Sequence, residues 1–270
     1  MIPAAHITEW RNNAPWRSNE QVEQDLIISR CLVELFSDPF CAGTLVFRGG
    51  TAIHKLFLPA PMRYSEDIDL VQTEPGPIGP VFDSVRKRLA FLGKPRIAQK
   101  ERNNVLTFST QSTIPPAVPI KLKIEINCRE HIEVLGVERK DFSVASLWFK
   151  GRCVIPTYSI EVLLGSKMRA LYQRRKGRDL FDIWYALSHL EISIPELLNA
   201  FRVFMDHCGS SVSSKEFLRN MEAKMADSEF RNDTAALLRP EAAFAIDAAW
   251  ERVRNDCIAR IDSVKKELKR

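Results

Sequence analysis

The sequence predicts an α+β chain: a mixed sheet flanked by helices, followed by a C-terminal helical domain. Three observations carry this. Strand-like and helix-like segments alternate over the first part of the chain, Ile120 to Asn127 alternates strictly between apolar and polar residues, and beyond Ile155 every periodic segment has helical spacing. The domain change is placed there, giving residues 1–155 and 156–270.

Each element has a local cause. Ser18, Asn19, Glu20 and Gln21 have the spacing of a capping box, and Val22, Leu26, Ile27, Leu32, Leu35 and Phe36 recur at helical intervals. A long helix to Ser37 is expected. Asp38-Pro39 should end it, because the residue before a proline is pushed out of the α region. Thr44 to Phe47 then reads as a buried strand. Gly49-Gly50 opens a short helix, Thr51 to Leu58, which Pro59 stops. Asp67 to Val71 is a second strand and Phe82 to Leu92 a helix. Val105 to Thr110 and Ile120 to Asn127 are further strands, the latter with Ile120, Leu122, Ile124 and Ile126 on one face and Lys121, Lys123, Glu125 and Asn127 on the other. A short strand, Cys153 to Ile155, precedes helices at about 159–174, 178–190, 195–207, 213–226 and from 240 into the tail.

Composition narrows the functional class. With 45% hydrophobic and 27% charged residues over 270, the chain is an ordinary globular protein. It has no basic leader followed by an apolar run, and no stretch near the roughly eighteen apolar residues of a membrane span, so a cytoplasmic protein is expected. Cysteines 31, 41, 128, 153, 208 and 257 are scattered without metal-ligand spacing, and buried thiols are expected. The net charge of +5 is mild. Basic residues gather at Arg86 to Arg88, at Arg174 to Lys176 with Arg178, and at Lys265, Lys266, Lys269 and Arg270; each cluster alone reads as a solvated helix face before a nucleic-acid contact.

The chemistry gathers between residues 47 and 71. Asp67 and Asp69, two apart on a strand, project from one face while Ile68 and Leu70 point to the core. Two carboxylates so close repel unless a cation neutralises them. Magnesium suits them, since it takes oxygen ligands and keeps substrate phosphates in its shell. Glu125 is the candidate third ligand if its strand lies beside that of the aspartates, and three such carboxylates can hold two metal ions. The glycines supply the other half: a turn without β-carbons at a helix start lets backbone N–H groups approach a triphosphate. Gly49 and Gly50 are therefore phosphate candidates, with the Thr51 hydroxyl, the Lys55 ammonium one turn on, and Ser65 beside the strand entrance. His54 reads as a packed core histidine. Trp10, Trp16 and Trp148 read as packing residues before base-stacking ones.

The stretches RGGTAIHK, RYSEDIDLV, KIEIN and KMRALYQRRKGRDLFDIWYAL resemble, in order and spacing, the AbiEii/AbiGii-type nucleotidyltransferases, the toxin half of abortive-infection toxin–antitoxin pairs, related to the MenT toxins. The resemblance runs from about Trp10 to Leu190. It implies the polymerase-β-like nucleotidyltransferase fold for the N-terminal domain, with Gly50 where the wider superfamily often has serine. It also implies that Lys167 reaches the triphosphate from the helical domain, with Arg174 as a further nucleotide contact and Asp182 or Asp179 orienting them. Gly177 should split this stretch, one helix ending near Lys176 and another beginning at Arg178. A salt-bridge network between the two helices is the alternative role for these charges.

The expected function is a magnesium-dependent nucleotidyltransferase moving a nucleoside monophosphate from an NTP to an acceptor hydroxyl. By resemblance the acceptor is the 3′ end of a tRNA, and a cognate antitoxin is the partner. The alternatives are transfer to a small molecule or protein side chain, and a regulatory module that binds nucleotide without transfer.

Overall fold

Ser18 forms the foreseen capping box: its hydroxyl accepts from the Gln21 amide, and the Gln21 side chain accepts from the Ser18 amide. The structure is a computed structural model and describes residues 2–60, 62–99, 103–132 and 134–263. The basic tail cluster lies outside the described residues. The chain divides into two compact units, one of residues 1–133, 137–158 and 238–240, the other of 134–136, 159–237 and 241–270.

In the first unit, α1 (Ala4–Trp10) precedes α2 (Asn19–Phe36), which the capping box starts. Where the sequence suggested only a helix end at Asp38-Pro39, a new helix α3 (Pro39–Thr44) begins. Asp38 accepts from the Phe40 amide at 2.8 Å as N-cap, and Pro39 fits the first helical position, so this pair starts a helix as well as stopping one. Next come β1 (Leu45–Arg48), α4 (Gly49–Ala52) running into a π-helical turn at Ile53–Phe57, β2 (Asp67–Gln72) and α5 (Gly79–Arg88). Five strands complete the sheet: β3 (Arg96–Gln99), β4 (Asn103–Gln111), β5 (Pro119–Asn127), β6 (Glu138–Ala145) and β7 (Lys150–Thr157).

Among the described residues the sheet has seven strands in the order β3-β4-β5-β2-β1-β7-β6. It is mixed, as expected: β2 runs parallel to β5 and β1 to β7, while the remaining neighbours are antiparallel. The alternation in β5 is real, with Ile120, Leu122, Ile124 and Ile126 all buried. Strands β3 and β6 have no counterpart in the sequence reading. Both are edge strands, and a charged segment such as Glu138-Arg139-Lys140-Asp141 is a common way to blunt an edge against unwanted pairing. Helix α2 packs against β5, β6 and β7 and is buried almost all round, including its polar Glu23, Gln24, Asp25 and Ser29. Each of these four has a partner. Glu23 accepts from the amide and hydroxyl of Thr113, and Gln24 donates to the carbonyls of Glu66 and Lys121.

The second unit is helical: α6 (Ile160–Gln173), α7 (Gly177–His189), α8 (Ile194–His207), α9 (Ser214–Met225), α10 (Ser228–Asn232) and α11 (Ile246–Asp256). Its core holds the fully buried rings of Phe181, Phe201, Phe217 and Phe230. The turn at Gly177 is where the sequence placed it, though α6 stops earlier, at Gln173. A β-carbon on Gly177 would stand 2.2 Å from the Phe230 carbonyl oxygen, so close backbone approach explains the glycine. Lys224, buried, donates to the carbonyls of Leu171 and Tyr172 and closes the end of α6. Burial pushes its pKa down to about 8. The six cysteines are free, with Cys31, Cys41 and Cys257 buried. Among the described residues no helix is long and apolar enough to cross a membrane.

Helices α6 and α8 meet at Gly165, where a β-carbon would lie 2.7 Å from both the Ala200 methyl and the Phe201 amide nitrogen. Gly165→Ala should therefore destabilise the protein by about 1–3 kcal/mol despite the better helix propensity of alanine. A urea titration should show the midpoint falling; an unchanged or higher midpoint would mean the two helices can part without cost.

Candidate active site

The parallel register of β2 on β5 sets Asp67 beside Lys123 and Asp69 beside Glu125, and the antiparallel register of β1 sets Arg48 on the other side of Asp69. Directly paired residues share a face, so Arg48, Asp69 and Glu125 form one row and Asp67 and Lys123 the next. The third carboxylate thus stands on the strand adjacent to the aspartates, the condition on which its candidacy depended. Ile68 and Leu70 are buried on the opposite face.

Gly49 lies directly under this row. Its φ is +81°, and a β-carbon there would stand 2.1 Å from Asp69 Oδ2. Backbone conformation and contact both exclude a side chain, and the carboxylate of Asp69 fills the space that one would take. Gly50 is buried in the first turn of α4.

Three of the proposed phosphate contacts, Thr51, Ser65 and Lys55, are engaged otherwise. The Thr51 hydroxyl is buried, lies 2.6 Å from the Asp67 carbonyl oxygen and 2.7 Å from Ser65 Oγ. A carbonyl can only accept, so Thr51 donates its one proton there and Ser65 donates to Thr51. The two hydroxyls fasten α4 to the start of β2 and keep no proton for a phosphate. Lys55 is likewise engaged: its ammonium is 3.1 Å from each oxygen of Asp25 and 3.0 Å from Ser29 Oγ, which uses its three protons. The indole N–H groups of Trp10 and Trp16 donate to the same carboxylate at 3.0 and 3.1 Å. A buried charge left without its partner is costly, which ties Lys55 to Asp25 in place of a nucleotide. These contacts also make Trp10 and Trp16 buried packing residues, and His54 is buried as expected.

Asp67 is the electrostatic exception. Its Oδ1 is buried and meets no hydrogen-bond partner among the described residues. Burial pushes its pKa from 3.8 up to about 7; Lys123 opposes the shift, while Asp69, Glu66 and Glu125 add to it. An orphaned carboxylate oxygen beside two further carboxylates fits a hard divalent cation, which prefers oxygen ligands. Among the described residues no three acidic, histidine or cysteine side chains converge into a metal cage. A cation that keeps substrate phosphates and waters in its shell needs only one or two carboxylates from the protein.

In the helical unit, Lys167 on α6 lies 3.1 Å from Asp179 Oδ1 and 2.9 Å from Asp182 Oδ2 on α7, both carboxylates being fully buried. Arg174 grips Asp179 with Nε at 2.7 Å and Nη2 at 2.8 Å. Burial acts to raise the Asp179 pKa, yet Lys167 and Arg174 hold it below the ordinary value. The salt-bridge network weighed from sequence is thus formed, with Asp179 and Asp182 both holding Lys167.

Sequence reasoning passed over Asp25 and Lys123. Asp25 carries a weak signal in its i,i+4 spacing to Ser29 on the polar side of α2, while Lys123 gains meaning only from the register that sets it beside Asp67.

A family model described as "Nucleotidyl transferase AbiEii toxin, Type IV TA system" matches residues 30–255. Among solved structures the chain is similar to MenT4, the nucleotidyltransferase toxin Rv2826c from Mycobacterium tuberculosis H37Rv, at 19% identity and a TM-score of 0.65, over 95% of this chain and 88% of that one. It is also similar to JHP933 from Helicobacter pylori, at 16% identity and a TM-score of 0.53, over 93% of this chain and 97% of that one. At these identities the likeness speaks for the fold. No curated protein matches the sequence.

Two outcomes are expected of this geometry. Gly49→Ala should lower nucleotidyl transfer about a hundredfold or more, because it displaces Asp69 by a sizeable fraction of an ångström; the check is the rate of pyrophosphate release. For Asp67, a folded pKa above the unfolded value means stability that is full below pH 3.8 and lost as pH rises to about 7. In the metal-free protein, Asp67→Asn should therefore gain melting temperature over the wild type as pH rises from about 4 to about 7, the gap staying level above. Parallel melting curves would contradict the assignment.

Proposed function

The chain belongs to the AbiEii nucleotidyl transferase toxin family of type IV toxin–antitoxin systems, and from that premise we propose that it transfers a nucleoside monophosphate from an NTP to the 3′-hydroxyl of a tRNA. A nucleotidyltransferase of this family works against a cognate antitoxin, which is its functional partner. The observation that carries the proposal is the fit of Gly49 under Asp69: the turn that would receive phosphates and the carboxylate that would serve the reacting phosphorus are built as one piece.

Asp67, Asp69 and Glu125 would hold magnesium, as one ion or two. When bound, it neutralises charge on the triphosphate and polarises the phosphoryl oxygens. The protein's own part starts at the turn, where the amides opening α4 and its π-helical extension lack helical acceptors and favour phosphate oxygens. Gly49 and Gly50 leave the backbone bare for that approach. The acceptor oxygen forms a bond to the α-phosphorus and its proton passes to a carboxylate of the set. The bond from the α-phosphorus to the bridging oxygen breaks, and pyrophosphate leaves. Because Asp67 titrates near neutrality, loading the site below about pH 7 requires loss of a proton from this side chain.

Lys167, Asp182 and Arg174 form the second element of the proposal. Support comes from the cost of keeping an ammonium between two buried carboxylates, a cost that function can justify where stability alone does not. Thr51, Ser65 and Lys55 act here through the scaffold, holding the turn and its helix in place.

Purified protein incubated with total tRNA, magnesium and each α-labelled NTP should label tRNA with at least one nucleotide. Asp69→Ala should abolish labelling while leaving the melting curve close to that of the wild type. Transfer surviving in that variant would overturn the site. Label entering protein or a small acceptor would reassign the acceptor, and nucleotide-dependent stabilisation without pyrophosphate release would point to a regulatory nucleotide-binding module.

A further inference from the structure

Among the described residues, the basic clusters seen in the sequence are largely neutralised by the fold. Arg86 pairs with Asp83, Arg88 with Asp38, Arg175 with Asp227, and Lys176 and Arg178 with Asp233. A different basic surface appears once the sheet is assembled. Arg96 on β3 is the register partner of Thr107 on β4, Thr107 of Lys123 on β5, and Lys123 of Asp67 on β2. Lys121, two residues before Lys123, is paired with Ser109 and shares their face. Arg96, Lys121 and Lys123 are exposed, and none forms an ion pair with another described residue. Lys121 and Lys123 on one strand and Arg96, distant from them in sequence, thus stand on the face that carries Asp67, Asp69 and Glu125, with Lys123 beside Asp67 and acting on its charge. At an interstrand spacing of about 4.8 Å, the row from Asp67 to Arg96 spans about 14 Å.

We propose that this row is the track for the acceptor strand: Lys123, Lys121 and Arg96 bind consecutive phosphodiesters of a single-stranded RNA end whose terminal hydroxyl reaches the carboxylates at Asp67. The track rests on the proposed transfer to RNA. An NTP brings three phosphates to one point, the glycine turn. An RNA end brings phosphates spaced along its backbone, and cations spread over β5 and β3 away from the carboxylates are complementary to the second of these. Cations on β5 and β3 contact the backbone without reading bases, so the track fixes where the 3′ end lies and carries no sequence preference. The Thr107 and Ser109 side chains between the cations give hydroxyls where a ribose or phosphate passes.

The test measures binding of a short single-stranded oligoribonucleotide with a free 3′-hydroxyl against salt concentration, for the wild type, Arg96→Gln, Lys121→Gln, Lys123→Gln, the triple variant, and Arg86→Gln as a control on helix α5. All are exposed positions, and melting curves confirm that the variants fold. Each single substitution should lower the slope of log K against log salt by about 0.7 and the triple variant by about 2, with Arg86→Gln unchanged. Labelling of the same RNA from an α-labelled NTP should show KM for RNA raised in the triple variant, and KM for NTP held in Arg96→Gln, which stands three strands from Asp67. A triple variant with the wild-type slope and KM, in an enzyme that still labels RNA, overturns the track and leaves the transfer proposal standing. A wild type that neither binds nor labels RNA removes the transfer proposal, and the track falls with it. An equal loss of slope in Arg86→Gln would show diffuse charge attraction and also overturn the track.

Discussion

The absence of one methyl group at position 49 governs the geometry of the site. The chain leaves β1, turns through a positive φ at Gly49 and enters α4, and the space beneath is taken by the carboxylate of Asp69. Any L side chain would meet both the unfavourable backbone region and the carboxylate. The turn therefore fixes how near the backbone amides come to the acidic row. Since β2 is hydrogen-bonded between β1 and β5, the same turn is locked to Glu125 through Asp69. The turn proposed for phosphate and the carboxylates proposed for a cation are in this way joined through the sheet.

Helix α2 holds that assembly from behind. Its Glu23, Gln24, Asp25 and Ser29 are buried, against ordinary amphipathic design, and Gln24, Asp25 and Ser29 fasten pieces of the site's scaffold. Gln24 grips the backbone at Glu66 and Lys121, next to the strands that carry the carboxylates. Asp25 receives Lys55 from the helical stretch that the glycine turn opens, with Trp10 and Trp16 completing its hydrogen bonds. A buried ion pair is seldom a net source of stability, but a carboxylate with several well-directed donors specifies one arrangement of the elements that provide them. Lys55 has that role, which sets the orientation of α4 and hence of the turn.

What was legible in the sequence follows the range of the interaction. The capping box at Ser18, the glycine turn, the alternation of β5 and the break at Gly177 are local patterns, and each is realised. Helix α3 was hidden because Asp38-Pro39 serves as both stop and start signal. Strands β3 and β6 were hidden because an edge strand needs no apolar alternation to be held by its neighbour. Within the site, Asp67 and Asp69 could be read from two positions of one strand. Glu125 could be named only on condition that its strand lay beside theirs, since pairing is non-local. Lys55 was read as a phosphate contact for the same cause: its partner Asp25 lies thirty residues earlier, beyond the reach of any local pattern. Charge runs misled in a related way, because neighbours in sequence found partners in the fold while Lys123 and Arg96 came onto one face only through register.

The buried carboxylates divide into two kinds, and the division separates scaffold from site. Asp25 and Asp179 lie in the interior and are fully provided with donors, from Trp10, Trp16 and Lys55 in one case and from Lys167 and Arg174 in the other. Burial of Asp179 does not raise its pKa, because its partners outweigh the lost hydration. Asp67 is treated differently. The fold half-buries it, gives one buried oxygen no donor, and sets like charges around it, so that its pKa rises to about 7. The same chain that supplies donors elsewhere withholds them here, at a cost in stability that grows with pH. A buried carboxylate oxygen without a donor, beside two further carboxylates, is a place that a cation from outside the chain can complete. With Asp69 and Glu125 adjacent and a bare backbone turn below, what completes it must be positively charged toward the carboxylates and negatively charged toward the amides. A cation bound to the phosphates of a nucleotide has both properties.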